Sequence, residues 1–549
     1  MKKMSGYPEY MQESLRLVEK TRSERVGKTF PLMSADDKQK ILRDWHPDFK
    51  EGTKRTLRFG PSQGQVMPHE VADILEAHPI IKAGDIDLKH VDYDLNVLVI
   101  GAGGAGLTAA LLAMENGVEL DKILMVQKLR LGDANSKMSQ GGIQAADRPN
   151  DSPTRHFLDI MGGGQYANKT DLVEALVKEG PDVIRWHESL GVMYDKNPDG
   201  MMKVESGGGT SRRRMHSCKD YTGLEITRVL LDEFLSRGIP YREFTSVVEL
   251  LTDDTGQVAG AVLLDMDSDE YLVARAKSTI LATGGFGRLH IQGFATTNHY
   301  GSTADGVALA YHVGAYLRDL DSTQFHPTGA AFPEQIVGQL CTEALRGRGS
   351  QPLNRLGELF VNPLETRDVE SSAFILECYG RNNGIVTDTG MRGVWLDTPL
   401  IDIIHGKGST EREFSAMMRM WGKYNIDIRK EPMLVFPTLH YQNGGVEINP
   451  QCESSVPGLF AAGEVCGGIH GKNRLMGNSQ LDLYVFGRRA GRYAAERARK
   501  VTVGKLTLGH LKRYEKWLSD AGVKTDRKAP MLLPEYRGRK TLEHQLKIL

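Results

Sequence analysis

The chain opens with a long stretch in which polar and apolar positions follow no strand-like alternation. Residues 1–92 are charged and broken by Pro and Gly, with helical periodicity only around Tyr10 to Val26 and Pro68 to Ala77. At Asp94 the texture changes. Leu95, Val97, Leu98, Val99 and Ile100 form a continuous apolar run, the pattern of a strand covered on both faces. The run ends in a glycine loop with Gly101, Gly103 and Gly106, followed by an Ala- and Leu-rich helical stretch from Leu107 to Glu115 and a second apolar run at Ile123 to Val126. Strand, glycine turn, helix and strand in that order open a doubly wound α/β domain.

Such strands return twice. Ser278 to Leu281 is a short apolar run ending in Ala282-Thr283-Gly284-Gly285, and Gly458 to Glu464 runs from strand into loop near the end. Nucleotide-domain elements therefore lie both early and late, with an insertion between them, and a ligand should sit in the cleft at that junction. The expected division is 1–92 as a packing or docking extension, 93–310 and 436–499 as the two parts of the dinucleotide domain, 311–435 as the inserted domain, and 500–549 as a C-terminal region, helical at Leu506 to Ala521.

The glycine spacing lets the chain turn tightly, admits a pyrophosphate to the backbone and lets helix and strand pack closely, with the phosphates meeting helix N-terminal N–H groups. Gln127-Lys128 stands where NAD-binding versions carry Asp or Glu for the ribose, so the loop alone leaves the choice of dinucleotide open. With 40% hydrophobic and 25% charged residues, 549 residues suffice for more than one hydrophobic core. Sixty-nine basic and 70 acidic residues leave a formal net charge of -1, so no global field favours nucleic acid or an anionic membrane, and an anionic ligand must be held by local charges.

The first residues carry two lysines but no apolar core of a signal peptide, and no run of 18 apolar residues occurs, so the expected place is the cytoplasm, soluble or peripherally associated. Five cysteines lie far apart without a CxxC, which predicts scattered reduced thiols and no iron–sulfur cluster, zinc site or disulfide.

The motifs from about Asp94 to Arg497 resemble, in order, the flavoprotein subunits of succinate dehydrogenase and fumarate reductase, relatives of L-aspartate oxidase. They are GAGGAGL from Gly101, SQGGI from Ser139, ATGGFGR from Ala282, TADG from Thr303, QFHPTG from Gln324, TEALRGRG from Thr342, TRDV from Thr366, PTLHYQNGG from Pro437, AAGE from Ala461 and HGKNRLMGNS from His470. The resemblance implies an α/β fold: a Rossmann-like FAD-binding domain with an inserted α+β capping domain and a short C-terminal helical region. It implies FAD contacts at Gly101, Gly103, Gly104, Ala105, Gly106, Lys128, Asn135, Ser136, Gln140, Gly141, Gly142, Thr283, Gly284, Asp305, Glu464, Arg474, Ser479 and Leu481. It also implies a fumarate site with His326 and Thr342 at one carboxylate and His440 and Arg474 at the other, and Arg367 as proton donor fed through Glu343 and Arg346. Two clusters of cationic and hydrogen-bonding groups are what a dicarboxylate requires.

Two departures accompany the resemblance. Membrane-bound relatives attach FAD to a histidine a few residues before the glycine pair; aligning on Gln140-Gly141-Gly142 puts Asn135 there, and no His lies between Glu115 and His156. FAD is therefore expected to be held non-covalently, which tilts the chemistry toward fumarate reduction. With neither cluster cysteines nor a second dinucleotide domain, electrons should come from a separate iron–sulfur subunit, in a larger soluble complex such as the thiol-dependent fumarate reductases form. The N-terminal extension is a candidate contact for that partner. The rival functions are L-aspartate oxidase, whose substrate amine needs a further acidic partner, and a reductase of a substituted succinate. A non-enzymatic electron relay would have no use for His326, Arg367, His440 and Arg474 together.

Overall fold

The computed structural model describes residues 6–534. Its largest sheet is built on Tyr93–Ile100, which pairs in parallel with Ile123–Val126 on one side and with Tyr271–Leu281 on the other. Tyr241–Arg242 extends the first side, and an antiparallel hairpin, Thr245–Asp253 with Val258–Asp265, extends the second. The late strand Leu459–Ala461 pairs in parallel with Thr279 to Leu281, and Leu506–Thr507 adds the outermost pairing beyond the hairpin. Early and late parts of the chain thus share one sheet, as the two sets of apolar runs predicted.

The expected strand at Ser278–Leu281 is the buried end of a longer one that begins at Tyr271. Its first half interleaves Arg275 and Lys277 with apolar residues, because that half pairs with the hairpin and is partly open, so an apolar run marks only the end covered on both faces. The helix Gly104–Glu115 follows the glycine loop and buries most of its residues between the sheet and the long helix Asn478–Ala498.

The inserted region forms a five-stranded antiparallel sheet in the order Thr323–Ala330, Met433–Gln442, Arg392–Asp397, Gln351–Leu353, with Ile385–Val386 also paired to Arg392–Asp397. Thr323–Ala330 and Met433–Gln442 are the strands on which this cap hangs from the dinucleotide domain. The second runs across residues 435 and 436, where the sequence division was drawn.

The N-terminal extension packs. Its helix Gln12–Arg25 lies on the cap, where Arg22 and Arg25 both reach the fully buried Asp397, Arg25 Nη2 at 2.7 Å from Oδ2, and Trp395 Nε1 donates to Ser14 Oγ at 2.8 Å. A second helix, Ala35–Trp45, lies against Arg367–Ile375. Periodicity missed it because Ile41 is its sole buried residue; its start is marked instead by Ser34, whose side chain accepts the Asp37 N–H. The helices expected around Pro68 to Ala77 and Leu506 to Ala521 are found as His69–Leu75 and Gly509–Asp520. Tyr514 donates its hydroxyl to Leu75 O at 2.6 Å, tying these two together. The C-terminal expectation beyond Pro534 lies outside the described residues.

Candidate active site

The glycine loop and the turn after Tyr271–Leu281 meet back to back. Gly101 has φ +105°, and a side chain there would place its Cβ 2.3 Å from Ala282 O, so only glycine allows the contact. Beside them opens a cleft enclosing about 1410 Å³ of atom-free space, mouth included. Gly101, Gly103, Gly104, Ala105, Lys128, Asn135, Ser136, Gln140, Thr283, Gly284, Asp305, Glu464, Arg474 and Ser479 line it. Four predicted contacts lie off this lining. Gly106 is pressed against Gly101 O, Gly142 against His216 O, Gly141 against Met476 and Leu481 against Gly180.

The cleft suits a dinucleotide on three observations. The helix Gly104–Glu115 begins at it, its first N–H donating to Ser136 Oγ at 2.9 Å and its positive end directed at the cleft, where phosphate is favoured. Buried polar atoms aimed at it, Gln140 Oε1, Thr283 Oγ1 and Arg474 Nε and Nη2, have no partner among the described residues. Lys128 Nζ, placed where NAD enzymes carry an acid, is held 2.6 Å from Asp305 Oδ2 and 2.5 Å from Thr303 Oγ1.

Asn135 is fully engaged. Its Nδ2 donates toward Asn298 Oδ1, Ser302 Oγ and Glu464 Oε2 at 3.0–3.1 Å, and its Oδ1 accepts the His299 N–H at 2.6 Å. Burial pushes Glu464 up to about 7, against the hydrogen bonds from Gln442 N–H and Asn135. The fold also brings the His299 side chain to this cleft, a histidine distant in sequence that local inspection around the glycine pair passes over.

Where cap and dinucleotide domain meet, a second set of side chains converges. The two hinge strands carry His326 and His440, with ring centroids 5.0 Å apart. His326 Nδ1 accepts the Thr328 N–H at 3.2 Å, so the neutral ring keeps its proton on Nε2, which lies 4.0 Å from Glu343 Oε2. His440 Nδ1 pairs with Thr297 Oγ1 at 2.7 Å. Arg367, first residue of its helix, donates from Nε to Glu343 Oε2 at 2.8 Å and from Nη1 to Gln324 Oε1 at 3.1 Å; Gln324 in turn donates to Arg474 O at 2.7 Å. Arg346 Nη2 lies 3.4 Å from Glu343 Oε2, and Thr342 is buried immediately before Glu343.

Burial and the surrounding guanidinium groups push His326 and His440 well below the ordinary histidine range, so both rings are neutral. Burial, then Arg367, brings Arg474 down to about 9. Burial works against Glu343, yet Arg367 and Arg346 hold it down at about 2. Burial also lowers Arg367, with Glu343 opposing. Arg474 stacks its guanidinium 4.5 Å above the Tyr441 ring, whose hydroxyl donates to Asp482 Oδ2 at 2.7 Å, and His470 Nε2 meets the same oxygen at 2.6 Å. Gln324, Thr297, Tyr441 and Asp482 are supports that sequence reasoning did not single out, although Gln324 and Tyr441 sit inside the ordered motifs.

Of the seven residues assigned to substrate and proton transfer, six are buried and His440 is half-buried, all around one junction beside the dinucleotide cleft. Among the described residues no group of His, Cys, Asp and Glu could hold a metal ion, all five cysteines are free and buried, and no helix is long and apolar enough to cross a membrane. Fold and cleft define a dinucleotide-binding protein with an inserted sheet over the cleft.

Comparison with known proteins narrows the class. The FAD binding domain family matches residues 96–480. One chain of the CoM/CoB fumarate reductase of Methanothermobacter marburgensis is 39% identical over 420 residues, 74% of this chain and 73% of that protein. The L-aspartate oxidase of Streptomyces coelicolor is 36% identical over 75% of this chain and 70% of its own length. Among solved structures, E. coli quinol fumarate reductase FrdA aligns with a TM-score of 0.69 at 30% identity, covering 78% of this chain and 74% of that one; Mycobacterium smegmatis Sdh1 aligns with a TM-score of 0.63 at 34% identity, covering 77% and 72%. The chain belongs to the fumarate reductase and succinate dehydrogenase flavoprotein family, FAD-dependent oxidoreductases acting on CH–CH bonds.

Proposed function

We propose that the chain reduces fumarate to succinate. The observation that carries this reading is the unpaired valence of Arg474, whose Nε and Nη2 are buried without a hydrogen-bond partner among the described residues, at the junction with His440. A buried guanidinium edge left open is costly unless a carboxylate completes it. His440 and Arg474 would hold one carboxylate, and His326 and Thr342 the other. Neutral histidines donate hydrogen bonds there without adding charge. Glu343, the carboxylate 4.0 Å from His326, is committed to Arg367, Arg346 and the Gly208 N–H and so is not available to a substrate amine. That favours fumarate over L-aspartate.

FAD, when bound, supplies the hydride to one alkene carbon. The other carbon takes a proton, and Arg367 would be its donor in this reading: burial lowers its hold on the proton, and Glu343 stands 2.8 Å from Nε to return one. Arg474 and His440 stabilise the charge that develops on the carboxylate as hydride arrives. The cofactor would be non-covalent, since Asn135 cannot form a histidyl bond. Flavin released completely by acid precipitation is the expected result, and flavin retained in the pellet would point to His299. Electrons would come from a separate iron–sulfur protein of the same complex; the likeness to a chain named as one component of a multi-chain fumarate reductase supports this.

Oxidised protein mixed with L-aspartate tests the choice of substrate. No bleaching of the flavin and no iminoaspartate are expected; rapid bleaching would assign the chain to aspartate oxidation.

A further inference from the structure

One buried carboxyl group of the site has no part in the chemistry above. Glu370 lies one turn after Arg367 on the helix Arg367–Ile375 and is wholly enclosed. Its Oε2 receives Arg346 Nη1 in a short contact, while its Oε1 has no partner among the described residues. The charged groups that act on it are Arg346, Glu343, Glu365 and Arg367. Glu365, the acid on the loop before the helix, is itself held by the Met33 N–H at 2.7 Å and by Lys38 Nζ at 2.8 Å, both from the N-terminal extension. Glu370 is not the sole partner of Arg346, since Nη1 also donates to Pro363 O at 2.6 Å; Nη2 lies 3.4 Å from Glu343 Oε2 without a hydrogen bond.

The charge balance decides the state of this group. With fumarate bound, the guanidinium charges of Arg346, Arg367 and Arg474 are matched by Glu343 and the two substrate carboxylates. An ionised Glu370 would leave the buried site with an excess negative charge, which a low-dielectric interior opposes. Burial pushes Glu370 well above the ordinary carboxylate range, in the same direction.

We propose that Glu370 is the proton reservoir behind the arginine relay, its carboxylic O–H refilling Arg346 at each turnover. The idea rests on the reading that Arg367 protonates fumarate. Arg367 gives one proton to the substrate carbon and regains one from Arg346 by way of the Glu343 carboxylate. Arg346 then takes the proton of the Glu370 O–H bond, which leaves a carboxylate beside a restored guanidinium cation. Closing the cycle requires one proton from solvent to restore the Glu370 O–H bond. Glu370 acts through Arg346 and does not touch substrate.

The test compares the FAD-loaded wild type with Glu370→Gln and Glu370→Asp, flavin content confirming that each variant is folded. In the infrared, the wild-type-minus-E370Q difference should show a protonated-carboxyl C=O band at neutral pH. With an artificial low-potential donor, E370Q should lose at least about tenfold in kcat. Its fumarate affinity, read from the shift in the oxidised flavin spectrum, should stay unchanged. E370D should recover part of the loss, which a purely space-filling role would not produce. Absence of the infrared band, or wild-type kcat in E370Q, overturns the proposal. A wild-type protein whose reduced flavin ignores fumarate overturns instead the functional reading and the relay with it, while the infrared band reports on Glu370 alone.

Discussion

Two buried clusters of arginine and carboxylate lie within the cap region and differ in one respect. In the first, Asp397 receives Arg22 and Arg25, and Arg25 spends its remaining valences on Gln351 Oε1 and Val18 O. In the second, Arg367, Glu343, Arg346 and Glu370 form an alternating string, with Arg346 Nε and Nη2, Glu370 Oε1 and, nearby, Arg474 Nε and Nη2 left without hydrogen-bond partners among the described residues. A cluster that closes on itself fastens one segment to another. A cluster with open valences at a domain junction is poised for a ligand or a proton. Both pair arginine with a buried carboxylate, so the accounting of leftover hydrogen-bonding capacity is what separates them.

The sharpest way to break the comparison is to remove one member of each. Arg367→Ala should cut fumarate turnover by about 10³-fold while FAD stays bound, because a general acid is lost. Stopped-flow oxidation of the reduced flavin checks it, and activity close to wild type would sink the assignment. Asp397→Ala should instead lower stability by about 3–5 kcal/mol, since it strands two buried cations. Urea unfolding reads that loss, and turnover per bound flavin should stay near wild type. If D397A abolishes chemistry without loosening the fold, the two clusters are not of different kinds.

A smaller effect sharpens the same contrast through pH. Arg474 sits at about 9 in the free site and binds carboxylate only as the cation. Fumarate affinity is therefore complete below that value and declines as pH rises through it, by about tenfold per unit at the limit. The Asp397 cluster has no part in this limb, so D397A should leave the profile where it was. Arg474→Lys, with an ordinary lysine range near 10.4 and one charged point in place of a fork, should weaken binding by about 10- to 100-fold.

How far the sequence could carry this picture follows from what each feature leaves in it. Val97 to Ile100 and Ile123 to Val126 are covered on both faces and so appear as plain apolar runs, while Gly101 and Ala282 mark the turns between which a ligand fits. The hairpin from Thr245 to Asp265 has similar runs but no glycine loop leading into a helix, and nothing local tells its edge of the sheet. The helix Ala35–Trp45 hides because Ile41 is its sole buried residue, Leu42 and Trp45 packing against the core while still partly exposed. His326, Thr342, Arg367, His440 and Arg474 have no shared periodicity and could be gathered only through ordered motifs. The open valences of Arg474, and the pairing of Glu370 with an arginine from another helix, exist only once tertiary structure brings the segments together.

The central claim is that this junction reduces a dicarboxylate alkene with electrons from bound FAD. The most direct measurement mixes anaerobically reduced protein with fumarate and follows flavin colour and product together. The account predicts full reoxidation with succinate formed in equal amount to flavin. Flavin that stays reduced in the presence of saturating fumarate would contradict it.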